Sequence, residues 1–222
     1  MCFSPAASFA ASIVLGGVGV ATLHQARAKG EILLAIVPLF FALQQFVEGL
    51  IWLSLLHYHW PQIQSWLIIG YGIFAGMIWP VYMPLTLLLL EPSHRRKQIM
   101  IPVVFIGICV AFYVLVRMLE TTVTARIADT CILYEYPHRP MDEWLLPFYF
   151  IAVCAGFFVS SRAKIHRLGI ANIVAFLGAY LFYDMYLVSV WCFFAAVISV
   201  LIYGAVPDNL RRVMWFRCGR VV

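Results

Sequence analysis

The chain has 222 residues, of which 64% are hydrophobic and 11% are charged, with a mean hydropathy of +0.93 and a net charge of +5. This composition leaves too little polar surface for a water-soluble globule and indicates an integral membrane protein. The positive charge does not indicate a nucleic-acid partner, because the basic residues follow one face of the predicted membrane protein, where anionic lipid headgroups attract them.

Seven hydrophobic stretches are long enough to cross about 30 Å of hydrocarbon as helices, which takes roughly 20 residues each. We therefore predict an all-α fold, a single domain of seven transmembrane helices. The predicted spans are residues 5–23, 31–56, 63–90, 98–119, 144–161, 168–183 and 187–203.

The basic residues predict the direction of the spans. Twelve of the fifteen Lys and Arg residues form four clusters, one after each odd-numbered span. The clusters are Arg27 and Lys29; Arg95, Arg96 and Lys97; Arg162, Lys164 and Arg167; and Arg211, Arg212, Arg217 and Arg220. Because short loops rich in Lys and Arg stay cytoplasmic, we expect these clusters and the C-terminus inside and the N-terminus outside.

The first and third spans each contain a local signal that predicts their shape. The first span follows Ser4 and Pro5, which favour a helix start, and no basic residue precedes it, so we expect a retained helix and not a secretory signal. The third span contains Pro80 and Pro84, which we expect to kink it, because proline removes a backbone hydrogen bond.

The loop at residues 120–143 is the one outer connection long enough to fold. Between Thr121 and Tyr136 it alternates β-forming residues around Asp129 and Thr130, which predicts a small extracytoplasmic β-hairpin between helices 4 and 5. The hairpin leads into Pro137 and His138, where the proline would direct the imidazole.

Glu48 is the acidic residue that lies well inside a predicted span, in the outer half of span two. A carboxylate at mid-membrane costs about 2.5 kcal/mol or more, so it usually faces a cavity or a partner. Gln44, Gln45 and Trp52 lie three or four residues away, on the same side of the helix. This stripe indicates either bonds to neighbouring helices or a site for a ligand, a proton or a metal ion.

Carboxylate, imidazole and thiol groups all occur on the predicted outer side, a mixture that suits copper or zinc. Our leading hypothesis is a transition-metal site, with copper preferred, formed by Glu48, His138 and Cys2. We expect seven residues to form its pocket or second shell: Gln44, Gln45, Trp52, Trp79, Tyr82, Ser189 and Cys192. A disulfide between Cys2 and Cys131 is an alternative, since an oxidising outer face permits it.

Two other functions are compatible with the sequence. One of them is enzymatic, so the sequence does not decide whether the protein is an enzyme. Glu48 could serve a small-molecule or proton-coupled carrier whose pocket is lined by Trp52, Trp79 and Tyr82. It could also be the acid or base of a membrane enzyme that acts on a lipid or quinone, with His138 or Cys2 as its partner. A retinal cofactor is not expected, because no lysine lies inside the last span.

Several segments resemble an uncharacterised bacterial family of small seven-span membrane proteins that open with Met-Cys-Phe-Ser. The segments are Met1–Ser4, Ala7–Phe9, Gln44-Gln45 with Glu48-Gly49, Trp79-Pro80, Leu90-Glu91, Tyr134 with Pro137-His138, Ser160-Ser161 and Leu187–Ala196. The resemblance covers nearly the whole chain and implies a bacterial inner membrane, but no stated activity. One departure follows Ser161, where the family pattern has His-Arg and this chain has Arg162 and Ala163.

The metal hypothesis predicts that the purified protein carries a stoichiometric transition metal by elemental analysis. Glu48→Gln and His138→Ala should each reduce metal uptake, because each removes a ligand. Protein without stoichiometric metal, and variants with unchanged uptake, would contradict it.

Overall fold

The structure is a computed structural model and describes residues 4–57, 61–128, 130–135 and 144–206. Over these ranges the chain is mostly helical. The α-helices are α1 (Pro5–Gln25), α2 (Lys29–Leu56), α3 (Pro61–Ile73), α4 (Trp79–Leu90), α5 (His94–Glu120), α6 (Leu145–Val159), α7 (Ala163–Phe182), α8 (Leu187–Ser199) and α9 (Ile202–Ala205). A π-helix (Phe74–Ile78), a short 3₁₀ helix (Asp184–Tyr186) and strands β1 (Thr124–Ala128) and β2 (Cys131–Glu135) complete the fold.

The length and composition of the helices indicate a membrane protein. In the described part of the chain, five segments are long and apolar enough to cross a bilayer, namely α1, α2, the continuous stretch Pro61–Leu90, α5 and α7. Two shorter apolar helices, α6 and α8, lie where the fifth and seventh spans were predicted. Helix α7 begins at Ala163, ahead of its predicted start at residue 168, and the seventh segment is interrupted between Ser199 and Ile202.

Side-chain caps explain where the first two helices begin. At α1, the Ser4 hydroxyl accepts the backbone N–H of Ala7 at 3.2 Å, and Pro5 occupies the first turn, as predicted. At α2, the Glu31 carboxylate accepts the N–H groups of Arg27 and Ala28, each at 3.3 Å. A carboxylate in the first turn is also favoured by the helix dipole.

The third span changes helix type directly before its prolines. In the π-helix the N–H of Trp79 bonds to the carbonyl of Phe74, five residues earlier. By the same pattern the carbonyl of Ala75 would need an N–H from Pro80, which has none. The Tyr149 hydroxyl of α6 instead donates to Ala75 at 2.5 Å. Pro80 therefore frees a carbonyl that links this span to α6.

The predicted hairpin is present and packs on the helices. Its strands are antiparallel, with Ala128 opposite Cys131. Ile132 is fully buried in a core cluster with Ile51 and Trp52 of α2. The ring of Tyr134 stacks on Tyr71 of α3 with centroids 4.6 Å apart. The hairpin therefore covers one end of the bundle, which we call the hairpin end.

The opposite end, called the basic end, contains the connections α1–α2, α4–α5 and α6–α7. These loops contact one another: Arg96 donates to the carbonyl of Ser160 at 2.6 Å, and Arg162 lies 3.8 Å from the Glu31 carboxylate.

Close approach of α4 and α5 depends on a glycine. A Cβ atom added at Gly107 would overlap the backbone carbonyl oxygen of Pro80. Small residues at such crossings let two helices come into backbone contact. Gly76 of the π-helix likewise packs against Val114 of α5, whereas Gly16 and Gly17 of α1 face open space.

Gly107→Ala should destabilise the bundle by about 1–3 kcal/mol, because the added methyl group meets a backbone carbonyl that cannot move without shifting α4. Thermal unfolding in detergent measures the effect. Gly178→Ala is the matched control, since nothing lies within 4 Å of a Cβ atom there. Equal unfolding temperatures for the two variants would contradict the prediction.

Candidate functional site

Glu48 is fully buried in α2, and its carboxylate accepts hydrogen bonds from two helices. The hydroxyl of Ser189 in α8 donates to Oε1 at 2.6 Å, and Gln45 donates from Nε2 to Oε2 at 3.0 Å. A carboxylate away from water is costly unless polar groups satisfy it. The bond from Ser189 therefore joins α2 to α8 at one defined register.

Gln44 extends this arrangement to α4. Its Oε1 accepts the indole N–H of Trp79 at 2.9 Å, and its amide interacts with the thiol of Cys192. The thiol also interacts with the hydroxyl of Tyr71, next to the hairpin. We call this buried group the polar cluster: Gln44, Gln45, Glu48, Trp79, Ser189 and Cys192.

Two of the predicted pocket residues lie outside the polar cluster. Trp52 is buried in the core beneath the hairpin, and its indole N–H has no hydrogen-bond partner among the described residues. Tyr82 donates its hydroxyl to the carbonyl of Leu33 at 2.7 Å, with its ring 4.8 Å from that of Phe40. Of the three aromatic residues expected to line one pocket, Trp79 alone lines the cavity described next.

An open cavity lies among α2, α4, α6, α7, α8 and α9, with about 620 Å³ of non-protein space that includes open solvent. We call it the slot. Its walls are mostly aliphatic and aromatic, and their polar groups are occupied by the protein. Asn172 accepts the indole N–H of Trp191 at 3.2 Å, the hydroxyl of Ser199 donates to Ala196, and that of Tyr149 donates to Ala75. The slot therefore presents an apolar surface.

The slot is elongated and leads to the polar cluster. On α6 its wall runs from Tyr149 to Phe157, which corresponds to roughly 12 Å along a helix. On α2 the wall residues Leu34, Val37 and Phe41 follow helical spacing, and the next residues on that face are Gln44 and Glu48. On α8, Cys192 lies one turn from Ser189. Both faces thus change from apolar to polar at the same level.

The predicted metal site falls only partly within the described residues. Cys2 and His138 lie outside them, and Glu48 lies inside. Across the described ranges, no three His, Cys, Asp or Glu side chains form a group able to hold a metal ion. Copper or zinc binding by Glu48, His138 and Cys2 therefore stays a prediction.

A second buried carboxylate, Glu91, holds the basic end together. It is 1% exposed and accepts the N–H of Ser161 at 2.7 Å, the hydroxyl of Ser161 at 2.8 Å and that of Ser160 at 3.2 Å. The N–H of Ser93 donates to it at 3.1 Å. Desolvation raises the pKa of Glu91, but the four hydrogen bonds from Ser161, Ser93 and Ser160 outweigh it, so this pKa lies below its ordinary value of 4.5.

Sequence reasoning missed two of these residues. Glu91 stands at the end of its span and therefore resembles an ordinary boundary residue, although Glu91 and the Ser160-Ser161 pair both belong to the segments that carry the family resemblance. Asn172 lies inside span six, where a lone amide among apolar residues is a usable signal. The aliphatic wall residues carry no such signal, because every membrane helix is rich in them.

The sequence matches a family model over residues 1–215, and the chain belongs to that family, DUF6629, a family of unknown function. Comparison with curated proteins and with solved structures finds no match.

Glu91→Gln should lower the free energy of unfolding by about 2 kcal/mol at neutral pH, because it weakens charge-assisted hydrogen bonds. The lowered pKa means that this contribution is present above pH 4.5 and is lost as the pH falls through the folded-state value. Unfolding temperatures of the native chain and the variant should therefore converge in acid. The exposed Glu120→Gln is the control, and a loss equal to that of Glu91→Gln would contradict the prediction.

Proposed function

We propose that this member of the DUF6629 family binds an elongated apolar molecule, of the lipid or quinone class, inside the membrane. The slot is the observation that supports the proposal. It lies among six helices, and its walls are mostly apolar, as those of small-molecule sites usually are. Sites between the helices of a bundle are a common location for such ligands.

The chemistry of the walls favours an apolar ligand over a soluble metabolite. A sugar or an amino acid would lose its hydration on entry and find few free polar groups, because those of Asn172, Ser199 and Tyr149 are already bonded. An acyl or isoprenoid chain loses no hydrogen bonds in the same space. Its entry from the bilayer also requires no transfer from water.

Binding of this kind is the step that a carrier and a lipid or quinone enzyme have in common. In either case Glu48 stands next to the end of the slot, held by Gln45 and Ser189. As a group that can exchange a proton, it would supply coupling in a carrier or acid and base catalysis in an enzyme. Metal binding by Glu48, His138 and Cys2 is a separate hypothesis.

We also propose that α6 and the α8–α9 pair cross the bilayer, which would make seven spans in a bacterial inner membrane. Two observations support this. Helix α6 packs against α4, α5 and α7, and the segment Leu187–Ala205 corresponds to roughly 28 Å of helix. Arg27, Arg96 and Arg162 lie at the basic end, which would face the cytoplasm, while the hairpin end and the N-terminus would face outward.

Filling the slot should abolish binding. Ala195 lines it, and Ala195→Phe would place a ring in the space that the chain of the ligand occupies. We expect the native protein to retain apolar molecules through purification, detected by mass spectrometry of solvent extracts, and the variant to lose at least about 90% of them. This corresponds to a loss of about 1.4 kcal/mol in affinity.

Ala10→Phe is the matched control, because Ala10 is an exposed residue of α1 away from the slot. Thermal unfolding should show that both the native chain and Ala195→Phe are folded. Equal retention of apolar molecules by the two would then contradict the proposal.

A further inference from the structure

The polar cluster contains two hydrogen-bonding atoms that the described residues leave unused. Nε2 of Gln44 and Oε1 of Gln45 have no hydrogen-bond partner, although both side chains are 0% exposed. Leaving a buried polar atom unpaired carries a desolvation cost, so such atoms usually face water or a ligand. The thiol of Cys192, which lies beside the Gln44 amide, is a weak acceptor and offsets little of this cost.

The hydrogen bonds that the two amides already make determine whether the remaining atom of each is a donor or an acceptor. The indole N–H of Trp79 requires Gln44 to present its oxygen there, which leaves the nitrogen of Gln44 as a donor. The carboxylate of Glu48 requires Gln45 to present its nitrogen, which leaves the oxygen of Gln45 as an acceptor. The adjacent side chains of α2 therefore offer one donor and one acceptor.

This pair is complementary to a hydroxyl group. A hydroxyl accepts one hydrogen bond and donates another, whereas an ether or an ester carbonyl can only accept. An ammonium group can only donate, and a carboxylate or phosphate would be repelled by the neighbouring Glu48 carboxylate if that group is ionised. A neutral hydroxyl or phenol satisfies both free atoms without adding charge to a buried site.

The Gln44 amide lies next to the slot. Trp79 and Cys192 both form part of its wall, and both contact Gln44. The wall face of α2 passes from Phe41 directly to Gln44. An apolar chain that fills the slot therefore has its end beside the Gln44 amide, which Gln45 follows along α2.

We propose that the polar cluster binds the head of the ligand, and that the ligand is a neutral apolar chain ending in a hydroxyl or phenol. The inference rests on the proposed function, since it assigns the class of molecule that the slot takes. Nε2 of Gln44 donates a hydrogen bond to the hydroxyl oxygen, and Oε1 of Gln45 accepts a hydrogen bond from the hydroxyl group. Glu48 holds the Gln45 amide in the orientation that this requires.

The test is competition for a photoactivatable probe, a ten-carbon alcohol with a diazirine in its chain, crosslinked to the full-length protein in detergent. The competitors are decanol and decyl methyl ether, with decylhydroquinone and its dimethyl ether as a second pair. Each ether keeps the chain but cannot donate. We expect each hydroxyl compound that fits to compete at a concentration at least about tenfold lower than its ether.

The site of labelling and two variants complete the design. Labelled peptides should come from the slot walls in α2 and α8. Gln45→Leu should reduce the preference for hydroxyl over ether to about one while the potency of the ether is unchanged, and Gln98→Leu, at an exposed glutamine of α5, should keep it. A preference shown by one pair alone identifies an aliphatic alcohol or a phenol as the head.

Two results would overturn the inference. They differ in whether the proposed function also fails. If alcohol and ether compete equally in the native protein while Ala195→Phe abolishes labelling, the slot binds apolar chains and the head-group assignment is wrong. If labelling persists in Ala195→Phe, or maps to the basic end, the proposed function fails as well. The competition measured on the native protein does not depend on whether any variant folds.

Discussion

A carboxylate buried among membrane helices must be satisfied by the protein, and Glu48 shows what this demands. Water and lipid tails cannot bond to it at this position, so Ser189 and Gln45 donate to its two oxygens. Ser189 belongs to α8, far from α2 in sequence, and its bond sets the register between the two helices. Gln44, one residue before Gln45, then meets Trp79 and Cys192, and the slot begins where these contacts end.

The carboxylates of Glu48 and Glu91 lie toward opposite ends of the bundle and differ in their surroundings. Glu91 receives hydrogen bonds from two loops, through Ser93 on its own side and Ser160 and Ser161 on the other, and its role is to hold those loops together. The polar cluster around Glu48, by contrast, retains an unused donor on Gln44 and an unused acceptor on Gln45. A carboxylate whose two oxygens both have hydrogen-bond partners indicates a structural role. Buried polar atoms without a partner beside a cavity indicate a ligand-binding role.

The π-helix couples these regions. Because Pro80 cannot donate, the carbonyl of Ala75 is available to the hydroxyl of Tyr149, a residue of the slot wall. Trp79 follows at once and faces both the slot and Gln44. The same segment thus positions the wall and the polar cluster, and π-helical turns often occur at functional positions.

Features that depend on local pattern can be predicted from the amino-acid sequence. Hydropathy and length identified a helical membrane protein, the Ser4 cap located its first helix, and alternation around residues 129 and 130 identified the hairpin. Glu48 was recognisable because a lone acid within an apolar span is costly wherever it points. Tertiary structure alone decided the slot, the Glu91 contacts and the separation of Tyr82 and Trp52 from Trp79. A cavity arises where side chains distant in sequence fail to fill the space between helices, and Leu34, Val153 and Ala195 have the same apolar character as the residues that face lipid.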